Sequence, residues 1–282
     1  MPNPYISGTG HFLPPRIVTN DDLSKHLDTT DEWIQERTGI KERRYVEPGE
    51  GPSDLAIPAT EQALEMAGIE VKDIDFMIFA TSTPDFYAPG AGCLLQDKMG
   101  FNEIGALDIR VQCSGFLYGL SIAEQYIKTG VFKNILLIGA EVQSTAMDLT
   151  NEGRDTAIIF GDGAGAAIIS ATAEDRGILS THMHSEGKYL KELWLESPAS
   201  NAGHPRISSN DLNDGKQYLK MNGREVFRHA VTRFPEVIHE CLEKNNLTTD
   251  DIDLLIPHQA NLRITQMVQK RLELKDEQVY SN

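Results

Sequence analysis

The chain has few cysteines: Cys93, Cys113 and Cys241 among 282 residues. An odd count without metal-ligand spacing excludes a disulfide scaffold and a cysteine zinc site, and it fits a reducing compartment. Long apolar runs are also missing. No stretch approaches the ~20 residues needed to cross a bilayer, and no basic segment followed by an apolar one opens the chain, so a cytoplasmic protein with no membrane partner is expected. Positive charge is scarce. Lys and Arg number 26 against 42 Asp and Glu, and the net charge of −16 argues against nucleic acid as the main partner. The rest of the composition, 40% hydrophobic and 24% charged, is that of a soluble globular protein able to bury a large core as one large domain or two halves.

Two segments carry chemistry. In Asp108-Ile-Arg-Val-Gln-Cys113-Ser-Gly-Phe-Leu-Tyr-Gly-Leu120 a β-prone run ends at Cys113 and an amphipathic run, Phe116 to Ile127, begins just after it. A cysteine on such an elbow faces the positive end of a helix dipole, which favours thiolate and pulls its pKa towards roughly 3.5–7.5. Thiolate is the form that attacks a thioester. The alternative is a small buried residue. In Leu254-Leu-Ile-Pro-His258-Gln-Ala-Asn-Leu-Arg263 a histidine ends an apolar strand. A cysteine elbow and a strand-end histidine far apart in sequence form a candidate nucleophile and partner.

A faint duplication runs through the chain. The segment from Ala63 to Ile78 aligns without gaps on Cys241 to Ile256, an offset of 178 residues, with identities at Leu64, Glu65, Asp73, Ile74, Asp75 and Ile78. Each copy reads as a helix, a polar turn and a buried strand. In the first half the pattern predicts helix Pro58–Ala67, strand Phe76–Thr81, helix Gly90–Met99, strand Gly105–Gln112, a helix after Cys113 and strand Asn134–Gly139. Helices alternating with buried strands imply sheets covered by helices. Gly177 to Lys220 is turn-rich and reads as a connection, so the domains are set at 1–176 and 177–282. Helix Gly223–Asn245 and strand Ile252–Ile256 then open the second copy. The same offset carries Asn282 back to Ile104, before the strand of Cys113, so the second half is expected to be incomplete.

Other candidates carry less. Gly161-Asp-Gly-Ala-Gly165 lies between Ala157–Phe160 and Ala166–Ile169, both β-like, and reads as a hairpin. A dinucleotide loop needs a helix after its glycines. His182 and His184 alternate on one strand face without a third ligand nearby, so they read as solvent-facing and no metal is expected. Trp33 and Arg37, four residues apart, share a helix face if Thr30 or Asp31 caps it. Spacing alone equally fits an indole packed on an arginine stem. Arg224, Arg228, Arg263, Lys270 and Arg271 form a local basic minority, either a docking patch or a solvated face.

Cys113 and His258 in their contexts, with Asp31-Glu-Trp33-Ile-Gln-Glu-Arg37-Thr-Gly-Ile40, Phe160-Gly-Asp-Gly-Ala-Gly-Ala166 and Pro257-His-Gln-Ala-Asn-Leu-Arg-Ile264, occur in an order that resembles the β-ketoacyl-acyl carrier protein synthase III family, from Tyr5 to Asn282. The resemblance implies a thiolase-like α/β fold of duplicated halves in layered sheets and helices. It implies a decarboxylating condensation of an acyl-CoA primer with malonyl-acyl carrier protein that initiates fatty-acid synthesis, in a homodimer without a separate cofactor. Rival readings are a condensing enzyme or acyltransferase of secondary metabolism, or an inactive fragment. By resemblance, Cys113 is the nucleophile and His258 donates to the thioester oxygen. Trp33, Arg37 and Arg154 clasp the coenzyme nucleotide, while Arg228, Arg263 and Lys270 meet the acidic carrier protein. The family's catalytic asparagine and a glycine-rich loop fall past Asn282, which is not itself that asparagine. Two positions depart from the family: Gln112 stands where a small residue is usual, and Ala88, after Tyr87, where a bulky one often enters the partner's primer pocket.

Overall fold

The computed structural model describes residues 1–281; Asn282 lies outside the described residues. In chain order the strands and helices are β1 Asn3–Phe12, β2 Arg16–Thr19, α1 Asn20–Ser24, α2 Asp31–Thr38, β3 Glu42–Tyr45, α3 Pro52–Ala67, β4 Phe76–Ala80, α4 Ala91–Met99 and β5 Gly105–Ile109. They continue with α5 Gly115–Lys128, β6 Asn134–Val142, α6 Arg154–Ala157, β7 Asp162–Thr172, β8 Leu193–Trp194, α7 Ser209–Asn213, β9 Lys220–Met221, α8 Gly223–Lys244 and α9 Leu262–Arg271. The chain packs as two compact units. One comprises Met1–Ile17, Arg44–Val142 and Gly161–Met183; the other comprises Val18–Arg43, Gln143–Phe160 and His184–Asn282. This division follows packing, whereas a boundary at 176/177 follows the duplicated sequence. Among the described residues no helix is long and apolar enough to cross a membrane.

The first unit is built on a five-stranded sheet of order β1-β7-β6-β4-β5. β4 is parallel to both β5 and β6, and β7 is antiparallel to β6 and β1. Its inner strands β4, β6 and β7 are apolar on both faces because both faces are covered. Met77, Phe79, Leu136, Ile138 and Ile168 point into one core with α3 and α4 residues such as Leu55 and Leu95. Ile78, Ile135, Leu137 and Ile169 point the other way, towards Ala123 and Ile127 of α5. α3 lies directly on β1: a Cβ on Gly10 would stand 2.1 Å from the Ala59 carbonyl oxygen. That helix starts at Pro52, not Pro58 as expected. The Asp54 carboxylate accepts from the Gly51 amide at 2.9 Å, and Pro52 occupies the first turn, where a missing N–H costs nothing.

The expected hairpin around Gly161–Gly165 does not form. Ala157 ends α6, and β7 runs straight through Gly163 and Gly165. β7 is paired along its length with β1 on one side and β6 on the other, which keeps the glycines extended.

The duplication is visible in local structure. The Ile69 amide bonds the Leu64 carbonyl at 3.2 Å, and its counterpart Leu247 bonds Leu242 at 2.9 Å. Gly68 and Asn246, equivalent positions, both take left-handed backbone at φ 67° and 56°. Single 3₁₀ turns follow at Val71–Asp73 and Thr249–Asp251. The copies then diverge. Phe76–Ala80 is a strand between two neighbours, but the expected strand Ile252–Ile256 is not one. Leu255 makes an isolated bridge to Val279, and Leu254 and Ile256 are 51% and 69% exposed. A segment that, among the described residues, bridges to one short neighbour cannot sustain a ladder. In this second unit α8 and α9 pack through Val231, Ile264, Val268 and Leu272.

Candidate active site

Cys113 stands where β5 gives way to α5. The Thr81 amide bonds the Ile109 carbonyl at 3.1 Å, extending the pairing of β4 with β5 by one bond. The chain then turns sharply. Gln112 has φ 47°, left-handed for a residue with a side chain, and Gln112–Ser114 form a 3₁₀ turn that runs into α5. Such a conformation costs roughly 1–2 kcal/mol and is typical of functional sites. Gly115 lets the turn lie against β4, since a Cβ there would come within 2.7 Å of the Ala80 Cβ.

The electrostatics around Cys113 run against the thiolate that the helix end favours. Burial, followed by the negative charge of Glu141, pushes the Cys113 thiol above the ordinary cysteine value, opposed only by a backbone hydrogen bond. Desolvation and a nearby carboxylate both favour the thiol. The residue is exposed by surface area, so water moderates this push. Glu141 was not singled out from the sequence. Its carboxylate accepts from the Ser82 amide at 2.8 Å, the Ser82 hydroxyl at 2.8 Å and the Thr83 hydroxyl at 2.7 Å. The available signal was a lone carboxylate closing the apolar run of β6. Cys93 is exposed, because α4 turns Ala91, Gly92 and Leu95 inwards. Cys241 is half-buried on α8.

Apart from His182, the remaining candidates lie in the second unit. His258 follows Pro257 in the loop between the Leu255 bridge and α9, not at a strand end. Desolvation by the surrounding protein lowers its pKa below the usual 6.5, although the residue is exposed by surface area. Trp33, Arg37 and Arg154 come together. Thr30 caps α2, accepting from the Trp33 amide at 3.1 Å. The Arg37 guanidinium carbon is 4.0 Å and that of Arg154 4.7 Å from the indole centroid. Arg154 also donates to the Asp28 carbonyl at 3.0 Å. The basic residues are less uniform than their charges suggest. Arg228 is paired with Glu225 at 2.6 Å. Arg263, exposed on α9, lies 5.9 Å from the Phe227 ring of α8, and Lys270 is exposed at the far end of α9. His182 bonds the Ser180 hydroxyl at 2.9 Å, and His184 bonds Glu240 at 2.6 Å. Neither lies on a strand, and the described residues include no group of three or more side chains able to hold a metal.

The family model described as 3-oxoacyl-[acyl-carrier-protein (ACP)] synthase III matches residues 107–187, and that of its C-terminal part matches 242–282. The β-ketoacyl-[acyl-carrier-protein] synthase III of Methylococcus capsulatus is 44% identical over 274 residues, covering 97% of this chain and 82% of the relative. The chain belongs to the β-ketoacyl-[acyl-carrier-protein] synthase III family. That of Clostridioides difficile is 46% identical over 98% of this chain and 83% of its own. Among solved structures, the synthase III of Aquifex aeolicus superposes with a TM-score of 0.88 at 40% identity, covering 99% of this chain and 84% of that one. The priming β-ketosynthase of the R1128 polyketide pathway gives 0.88 at 31% identity, covering 99% and 81%. The fold is therefore the thiolase-like α/β fold of this synthase III family. As a family member the chain is an acyltransferase of the condensing type that initiates fatty-acid synthesis.

Proposed function

We propose that Cys113 takes an acyl group from acyl-CoA and passes it to a carbanion formed from malonyl-acyl carrier protein. In the first step the Cys113 sulfur bonds the thioester carbon, the bond to coenzyme A breaks, and the thiol proton leaves with the coenzyme thiol. In the second, the malonyl group loses carbon dioxide and its carbanion attacks the acyl-enzyme. A carbon–carbon bond forms and Cys113 is released as the good leaving group that a thiolate is. The β-ketoacyl product is two carbons longer, and no cofactor is needed beyond the acyl-CoA substrate.

The observation that carries this reading is the cysteine elbow, with Gln112 left-handed and Gly115 close-packed, in a chain of this family. His258 is the donor to the thioester oxygen where enolate charge gathers, a role that a neutral imidazole fills. Its lowered pKa supports that assignment. Trp33, Arg37 and Arg154 hold the coenzyme nucleotide; planar guanidinium groups stacked on an indole suit adenine and phosphate. Arg263 and Lys270, with Arg228 beside Glu225, steer the acidic carrier protein. The working assembly is a cytoplasmic homodimer. The test is to mix the chain with an acyl-CoA and malonyl-acyl carrier protein. A β-ketoacyl-carrier product formed in step with carbon dioxide, and lost in Cys113→Ser, is expected. An acylated Cys113 with no malonyl-dependent product would make the protein a plain acyltransferase.

A further inference from the structure

α2 has eight residues and α6 only four. Helices this short are marginal alone and take their position from what anchors them. Yet α2 carries Trp33 and Arg37, α6 carries Arg154, and both guanidinium groups lie on the one indole. Like charges gathered on one ring repel, so their spacing has to be set from beneath.

Beneath α2 lies Asn20, 1% exposed at the start of α1. The Thr19 amide donates to the Asp22 carboxylate at 3.0 Å and the Asp22 amide to the Thr19 hydroxyl at 3.1 Å, which fixes where α1 begins and so where Asn20 stands. The Asn20 side-chain nitrogen donates to the Asp31 carboxylate at 2.8 Å and to the Ile40 carbonyl at 2.7 Å. Asp31 opens α2 and Ile40 lies just past its end, so one side chain holds both ends of the helix. The other Asp31 oxygen accepts from the Gln35 amide group at 2.6 Å, and the Ile40 amide donates to the Thr38 hydroxyl at 3.0 Å.

The Asn20 oxygen is taken by Arg43, 5% exposed on β3, the strand paired with β2. Arg43 Nη2 donates to that oxygen at 2.8 Å and to the Ile158 carbonyl at 3.0 Å, while Nη1 donates to the Val18 carbonyl at 3.2 Å. Ile158 closes the C-terminal end of α6. A buried chain of hydrogen bonds, from α2 through Asn20 and Arg43 to α6, therefore joins the two helices whose side chains form the stack. Nearer the surface, the Asp28 amide donates to the Asn151 side chain at 2.6 Å and its carbonyl accepts from Arg154 at 3.0 Å. Breaking a buried link leaves its partners unsatisfied, which makes the connection stiff.

We propose that Asn20 and Arg43 are positioning residues for the coenzyme nucleotide: they set the separation of Arg37 and Arg154 across Trp33. Both are buried and act only through those three side chains. The inference rests on the three being the nucleotide clasp.

The test is calorimetric titration of the full chain with coenzyme A and, as control, with a pantetheine thioester lacking the nucleotide. Arg43→Lys keeps the charge but loses the planar fork that reaches Asn20 and Ile158 together. Asn20→Ser leaves one donor where α2 uses two. Each should raise the Kd for coenzyme A about three- to thirtyfold and leave that for the pantetheine thioester within about twofold. In an Arg37→Ala background Asn20→Ser should add less than about twofold, because the clasp it sets is already open. An unchanged coenzyme A Kd in a folded variant overturns the proposal. So does a parallel loss for both ligands, which is a general loosening of the fold, or full additivity with Arg37→Ala. If Arg43→Lys does not fold, Asn20→Ser decides by the same criteria. Arg37→Ala alone separates the two claims. An unchanged Kd there removes the clasp, and the inference with it; a raised Kd there, with no effect at Asn20 or Arg43, removes only the positioning role.

Discussion

Arg37→Ala should weaken coenzyme A binding while leaving the fold intact. Arg37 is exposed at the end of α2, its guanidinium carbon 4.0 Å from the Trp33 centroid. As an exposed cation–π contact that stack contributes about 0.5–1 kcal/mol, which bounds the cost to stability. Trp33 does not depend on it for its position. The Thr30 cap fixes the first turn of α2, and Arg154, 4.7 Å from the ring and tied to the Asp28 carbonyl, stays on the indole. The loss on binding is larger, because a charged hydrogen bond to phosphate and a planar surface for adenine go together, about 1–3 kcal/mol in all. That corresponds to a Kd raised roughly five- to 150-fold. Calorimetric titration with coenzyme A measures it. A pantetheine thioester lacking the nucleotide provides the control and should bind both forms alike. Arg37→Lys should recover only part of the loss, since an ammonium keeps charge without the plane. An unchanged Kd in a folded Arg37→Ala protein would leave Arg37 with a packing role and refute the clasp.

Arg263→Glu should raise the KM for malonyl-acyl carrier protein in a salt-dependent way and leave the Kd for coenzyme A unchanged; Arg228→Glu should do less, because Arg228 is already paired with Glu225. Equal KM values for the wild type and Arg263→Glu would remove the docking patch. Ala88→Phe should lower kcat/KM for a hexanoyl primer relative to acetyl by at least about tenfold, as expected for filling an apolar pocket; a wild type that accepts only acetyl-CoA would contradict it. Gly10→Ala should lower the thermal midpoint by an overpacking cost of about 1–3 kcal/mol or more, because a Cβ 2.1 Å from the Ala59 carbonyl meets backbone that cannot swing aside. A thermal midpoint within about one degree of the wild type would show that α3 can move off β1.

Much of this architecture was legible because it rests on periodicity and turn chemistry. The apolar runs of β4 and β6 announce strands covered on both faces, and the repeated helix and 3₁₀ turn followed from an ungapped alignment. What was missed depended on neighbours. The glycines of β7 read as a turn because local propensity does not include β1 and β6, which hold them extended. Ile252–Ile256 reads as a strand from its residues, but a strand needs partners, and among the described residues only Val279 bridges to it. At the site the same limit applied to charge. The elbow and helix end near Cys113 could be read in sequence and suggested a thiolate. The carboxylate that opposes it arrives from Glu141, 28 residues on, through a register that only the folded sheet supplies.

Acyl loading of Cys113 tests the account most directly. The chain is incubated with an acyl-CoA, its intact mass is taken, and the peptides bearing Cys93, Cys113 and Cys241 are mapped. The account predicts one acyl mass per chain, on Cys113, absent from Cys113→Ser and sensitive to hydroxylamine as a thioester is. No mass gain in a folded chain, or acyl groups shared among the three cysteines, would contradict it.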